Sequence, residues 1–179
     1  MAEKTMSRRL HIGGKLRSDG WEVLNAIPAP YVDYVGNATS LVQFPDNTFT
    51  DIYASHIVEH LDYADELLAT LKEWHRVLKP GGHVYISVPD LDILARLFAA
   101  RGQLTFDERF LIMRMIFGGH VDRYDYHVAG LNEEFLVYYL QQAGYSGIKR
   151  VQDLGYFDDT SRTKFRGVLI SVNMVAEKP

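Results

Sequence analysis

Apolar and polar residues along this chain follow two different periods, and the changes between them mark the elements. Short apolar runs bounded by turn residues predict strands over residues 10–12, ending at Gly13-Gly14, and over 22–24. A third is expected over 31–35 after the turn-like Pro28-Ala29-Pro30, a fourth over 50–55, and a fifth over 83–88 that ends at Pro89-Asp90. Between the last two, Leu67, Leu68, Leu71, Trp74 and Leu78 recur on one face of a helix expected over about 63–78. Asp62 can cap its start, Asp65 and Glu66 suit the positive end of its dipole, and Lys79-Pro80-Gly81-Gly82 ends it. Residues 45–90 thus read as one strand-helix-strand unit.

The first two strands are joined by a polar loop, residues 15–20, that is too short for a proper helix. Extended residues cover about 3.3 Å each, so the loop can still return along a short strand, and the first crossover helix is expected to be missing. Beyond Asp90 the pattern predicts helices over 91–100 and 106–117 and a polar, aromatic loop over 118–130. A helix over 133–143, capped by Asn132 and ended by Gly144, comes next, and then a strand near 148–154, a loop through Thr163 and a strand over 168–176. The final two strands suggest an antiparallel hairpin on a sheet edge. Residues 110–117, with Met113, Met115 and Ile116, are apolar nearly all round, which predicts burial in the core, under a lid or in a dimer interface.

A chain of 179 residues with 47% hydrophobic content suits one domain, with residues 91–130 as a helical and loop insertion on the substrate side. No apolar run is long enough to span a bilayer, and residues 1–9 lack the apolar centre of a secretory signal, so a cytoplasmic protein without membrane contact is expected. The absence of cysteine excludes disulfides, thiolate metal sites and a thiol nucleophile. A formal net charge of −4 argues against a general nucleic-acid binder, which leaves a small molecule or glycan as the expected partner.

In open parallel sheets, ligands bind outside the carboxyl ends of the strands, and the chemistry-bearing residues of this chain collect there. His56, Glu59 and His60 follow the fourth strand, where a histidine could take a proton from a hydroxyl or amine; alternatively Glu59 and His60 brace the next helix. The His-x-x-Glu-His string also raises zinc. With neither the usual helix placement nor an obvious further ligand, no metal is expected. His120, Asp122, Tyr124 and His127 lie in a loop too polar for core and rich in aromatic faces suited to sugar or ring stacking, against the plainer alternative of a solvated loop.

Four segments in order, Pro45 through Asp51, Ala54-Ser55-His56-Ile57-Val58-Glu59-His60-Leu61, Arg76 through Gly82, and Ile86-Ser87-Val88-Pro89-Asp90, resemble the middle of a class I S-adenosylmethionine-dependent methyltransferase. The likeness is closest to small bacterial methyltransferase-domain proteins often found near surface-sugar biosynthesis. It implies an α/β, Rossmann-like class I methyltransferase sheet, mostly parallel with an antiparallel C-terminal hairpin strand. It also implies S-adenosyl-L-methionine as cofactor, lined by Gly13, Gly14, Lys15, Asn25, Asn37, Ala38 and Ser55, and methyl transfer to a small-molecule or saccharide-precursor acceptor.

His56, His60 and His127 would be the catalytic residues, and Glu59, His120, Asp122 and Tyr124 would bind the acceptor. Three positions depart from the family pattern: Lys15 stands where a glycine is usual, and Asn25 and Asn37 stand where acidic residues usually meet the ribose and the adenine. A non-catalytic methyltransferase-like binding or scaffolding protein is the rival expectation. A nicotinamide-dependent oxidoreductase is poorer, because the glycine fingerprint and its helix are absent. A homodimer is a further expectation.

Overall fold

The structure, a computed structural model, describes residues 7–179; the first six residues of the start read above as lacking a secretory signal lie outside it. Nine strands follow in chain order: β1 (Arg9–Ile12), β2 (Trp21–Asn25), β3 (Tyr34–Val35), β4 (Phe49–Ser55), β5 (Leu78–Pro89), β6 (Ser146–Val151), β7 (Lys164–Phe165), β8 (Val168–Leu169) and β9 (Ser171–Glu177). Seven of them form one sheet in the order β3-β2-β1-β4-β5-β9-β6, and β7 and β8 pair separately. From β3 through β5 the neighbours are parallel, while β9 runs antiparallel between β5 and β6. The mostly parallel α/β sheet with an antiparallel C-terminal pair matches the expectation. β9 sits inside the sheet, and β6 is the edge.

Alternation along the strands divides the core into two faces. On one, Leu10, Ile12, Ile52, Ala54, Val84, Ile86, Val172 and Met174 pack under α1 (Glu66–Val77) and α4 (Glu133–Gln142) through Leu67, Leu71, Trp74, Leu136 and Leu140. Trp74 is fully buried, and its Nε1 donates to the Ala38 carbonyl at 2.8 Å, so the ring carries no unsatisfied donor into the core. Among the described residues no helix joins β1 to β2, as the short 15–20 connection foretold, and the other face is covered differently. The segment 152–163 crosses it instead. Leu154 and Phe157 pack there on Trp21, Tyr53 and Val175, with Tyr85 and Val151 alongside.

The helices of the insertion, α2 (Leu91–Ala99) and α3 (Phe106–Phe117), pair with each other, and Leu94 and Ile112 close a third cluster with Phe165 and Ile170. Burial of the 110–117 segment is not met within the chain. Ile112 is buried, but Phe110 is 50% and Phe117 53% exposed.

Several boundaries moved for local reasons. The third strand shrinks to two residues because Val32 donates to Ala29 O in a turn and the Asp33 carboxylate accepts the Val23 N–H at 2.8 Å, where a strand carbonyl would otherwise act. The helix expected from 63 begins at Glu66: Asp62 Oδ1 accepts from Ala64 N and caps a turn, and Asp65 takes the cap position without a side-chain bond. Lys79 through Gly82 is a bulge inside β5, between the pairs Phe49–Leu78 and Asp51–His83. Lys178 closes it from the far end of the chain, with Nζ donating to the carbonyls of His75 and Leu78 at 2.8 Å each. The strand expected over 168–176 breaks at Ile170, whose N–H bonds to Thr163 O and whose carbonyl accepts from Asp90 N. Among the described residues, no helix is long and apolar enough to cross a membrane.

Candidate active site

The register brings four chain ends to one rim. Ile12 of β1 lies beside Ala54 of β4, Ser55 beside Ser87 of β5, and Pro89 beside Ser171, the first residue of antiparallel β9. Gly13, His56, Asp90 and Ser171 therefore gather at the carboxyl edge of the parallel strands. Gly13 donates its N–H to Leu24 O at 2.7 Å with φ +73°, and a Cβ there would fall 2.1 Å from Cδ1 of Ile57. A glycine is thus required for both the turn and the contact.

A crevice opens beside this turn. It is lined by His11, Gly13, Lys15, Leu16, Ser55, His56, Ile57, Phe157 and residues 158–160. The Ser55 hydroxyl is buried with no hydrogen-bond partner in the protein, the state of a group awaiting a ligand or water. His11 lies under Gly14 with its ring 4.1 Å from that of Phe157 and edge-on to Tyr53, and burial pushes its pKa down to about 4 against a weaker upward pull from Asp159. The Tyr53 hydroxyl donates to Asp159 Oδ2 at 2.7 Å, which ties the crossing segment to the sheet.

Asn25 and Asn37 are less free than their sequence positions suggest. Asn25 donates to Gly14 O at 3.1 Å and accepts from Ile27 N at 2.9 Å. Asn37 accepts from Thr39 N at 3.1 Å. Each acts first as a turn residue, and each amide oxygen retains one further lone pair. Ala38 contributes its carbonyl to Trp74.

On the opposite side of His56 stands a buried carboxylate. Glu59, in the single turn Val58–His60, is 1% exposed. His56 Nδ1 lies 3.3 Å from its Oε1 and His127 Nε2 4.0 Å from the same atom, yet neither carboxylate oxygen has a partner in hydrogen-bond geometry. The main chain explains how residues so distant in sequence meet: the Glu59 carbonyl accepts both Val128 N at 2.9 Å and Ala129 N at 3.1 Å, clamping the 118–130 loop onto this turn.

Burial would raise the Glu59 carboxyl, but His56, with His60 and His127 behind it, outweighs that and leaves its pKa below the ordinary value. His127 moves down, chiefly through burial, against the upward pull of Glu59. His56 has φ +56°, and its Nε2 lies 3.1 Å from Ser171 Oγ. The carboxylate behind Nδ1 leaves Nε2 as the proton-accepting atom of the ring.

The structure thus joins His56, Glu59, His60 and His127 into one cluster and leaves the other loop candidates outside it. His120 stacks on Tyr126 at 4.0 Å, with Nε2 near Phe117 O. Asp122 Oδ1 accepts from Tyr124 N in a local turn, and the Tyr124 ring lies under Arg123. All three are solvent-facing. Conversely, His11, Phe157, Asp159 and Ser171 stand at the site without having been singled out. The paired acids Asp158-Asp159 were the one available signal, and in sequence they read as an ordinary loop.

A protein-family model described as "Methyltransferase domain" matches residues 8–86. The chain is 34% identical over 77 residues to a probable methyltransferase, ltbC, of Aspergillus luteorubrus; the match covers 37% of this chain and spans about a quarter (27%) of that protein's length. Among solved structures, a SAM-dependent methyltransferase of Archaeoglobus fulgidus aligns with a TM-score of 0.61 at 15% identity, covering 98% of this chain and 87% of that one. A SAM-dependent methyltransferase of Methanosarcina mazei aligns with a TM-score of 0.56 at 17% identity, covering 96% and 92%.

Proposed function

We propose that the chain is a class I S-adenosylmethionine-dependent methyltransferase that transfers a methyl group to a small-molecule acceptor, a reading supported by its fold and by the methyltransferase-domain match over residues 8–86. The observation that carries this reading is the crevice itself: the Gly13 turn, Lys15, the unpartnered Ser55 hydroxyl and His56 all line one opening at the rim where such a sheet takes its ligand.

The residues fit S-adenosylmethionine at its amino-acid end. Lys15 offers an ammonium to the carboxylate, Ser55 a hydroxyl, and the Gly13 turn a backbone free of side chain. Asn25 and Asn37 keep one acceptor lone pair each for the ribose and adenine. When bound, the cofactor supplies a methyl group activated as a leaving sulfonium substituent. The protein's part is alignment and proton removal. His56, held from behind by Glu59, accepts the proton of an acceptor hydroxyl or amine at Nε2, exchanging its contact with Ser171 for one with the acceptor. Exposed aromatic rings in the 118–130 loop, whose Tyr126 carbonyl meets His60, support a saccharide-precursor acceptor.

Thermal denaturation with and without 1 mM S-adenosylmethionine or its demethylated product tests the reading. A dissociation constant a hundredfold below that concentration adds about 2.7 kcal/mol to native stability and raises the melting temperature by about 5–10 °C. No shift, with no heat in calorimetry, favours the rival reading, a methyltransferase-like binding or scaffolding protein. The turn bonds that occupy the Asn25 amide at both its oxygen and its nitrogen support that alternative.

A further inference from the structure

The cluster behind His56 holds more electron pairs than donors. His60 places Nδ1 3.0 Å from Tyr126 O, and His127 places Nδ1 3.3 Å from Ile116 O. A carbonyl can only accept, so in both rings Nδ1 carries the hydrogen and Nε2 presents its lone pair. The two rings lie 4.9 Å apart at 78°. Close to both is Glu59, 1% exposed, with both carboxylate oxygens lacking a partner in hydrogen-bond geometry. His56 Nδ1 approaches Glu59 Oε1 at 3.3 Å, but between Glu59 and His127 a carboxylate oxygen and the Nε2 lone pair face each other at 4.0 Å with no hydrogen to share, and a backbone carbonyl behind each of the His60 and His127 imidazoles is the support that metal-ligating histidines use. One ligand atom from each of Glu59, His60 and His127 lies within 4.8 Å of the others.

We propose that Glu59, His60 and His127 bind a divalent transition cation of the zinc class. Bonds of about 2.0–2.1 Å put tetrahedral ligands about 3.3 Å apart, so binding shortens each ligand–ligand separation by up to about 1.5 Å, a movement of about 1 Å or less for each side chain. His60 has room for this, being partly exposed, and the 118–130 loop carries His127. Two histidines and one carboxylate are a zinc ligand set that leaves a fourth position open. The sequence reading set zinc aside for want of a further ligand. His127 is that ligand, brought from 67 residues downstream by the two main-chain bonds to the Glu59 carbonyl. The open position would hold a water or an acceptor hydroxyl and weaken its O–H bond. That use rests on the methyl-transfer reading; the binding does not.

The test is titration of chelator-treated full-length protein with Zn²⁺ alone, followed by calorimetry and melting temperature, with Co²⁺ absorbance as a readout of coordination. Neither S-adenosylmethionine nor acceptor is present, so failure here leaves the methyl-transfer reading untouched, and failure of that reading leaves this one. The expected result is one Zn²⁺ per chain with a dissociation constant at or below about 10 μM, a higher melting temperature, and Co²⁺ bands of four- or five-coordinate geometry. Affinity should fall at least tenfold in E59Q and in H60A, the latter a partly exposed position whose loss leaves the fold intact. Absence of binding at 100 μM Zn²⁺, or binding unchanged in H60A and E59Q, overturns the proposal.

Discussion

Within β1, His11 is sealed under Gly14 and Phe157 with no partner for Nδ1, and loss of water pushes its pKa from the ordinary 6.5 to about 4. The unfolded chain takes up a proton below pH 6.5 that the folded chain refuses until about pH 4. The stability this neutral ring permits is therefore complete above 6.5 and is lost as pH falls toward 4, by about 3 kcal/mol at most. Urea unfolding at pH 7.5, 5.5 and 4.5 should show that loss in the natural protein and a shallower one in H11F; equal slopes refute it. His56, at φ +56°, calls for a different substitution, because asparagine tolerates that backbone and alanine does not. H56N should keep the melting temperature within a few degrees and lower turnover by about 10²-fold or more if His56 is the base. The cluster was half legible: His56, Glu59 and His60 announce themselves by closeness in sequence, whereas their joining to His127 depends on which carbonyl a loop amide finds. Asn25 and Asn37 read in sequence either as ligand residues or as turn asparagines, and in the fold both close turns.

Elements were read most surely where side-chain pattern and caps agreed. α4 runs from the Asn132 cap, which accepts from Phe135 N, to Gly144 at φ +98°, as expected, and α3 starts from a full capping box between Thr105 and Glu108. Boundaries failed where a side chain took over a backbone role, as Asp33 does at β3. Asp90 shows how much one cap can join. It is 1% exposed, accepts from Asp92 N and Ile93 N at the head of α2, and meets Arg150 of β6 at 2.8 Å. D90A should destabilise the fold by about 2–3 kcal/mol in chemical unfolding, more than a surface cap alone, because it also removes the buried carboxylate of an ion pair with Arg150. The strand expected near 148–154 stops at Val151, and residues 152–163, read as its end and a loop, do the covering work of a helix. F157A should cost about 3 kcal/mol and loosen the His11 side of the crevice. A loss below 1 kcal/mol would mean that the segment merely rests on the sheet.

At the scale of the whole molecule, the mostly parallel sheet with an antiparallel C-terminal strand was legible through the resemblance of residues 45–90, and the missing first crossover helix through simple chain length. The interior position of β9 was not, because the sequence shows a final apolar strand without showing which neighbours it separates. That position governs how the chain can be made. β5 pairs with β9 over seven residues, from His83 with Glu177 to Pro89 with Ser171, and β6 reaches the sheet only through β9. Without β9, β5 holds a long open strand edge at the middle of the sheet, lined by unpaired amides and carbonyls that can template pairing with another molecule. Deleting residues 171–179 should accordingly give insoluble aggregate rather than a weakened monomer, and supplying a peptide of residues 168–179 during refolding should recover soluble protein. The sheet is completed from the inside, and on this reasoning β9 is what keeps the edge of β5 from pairing with another molecule.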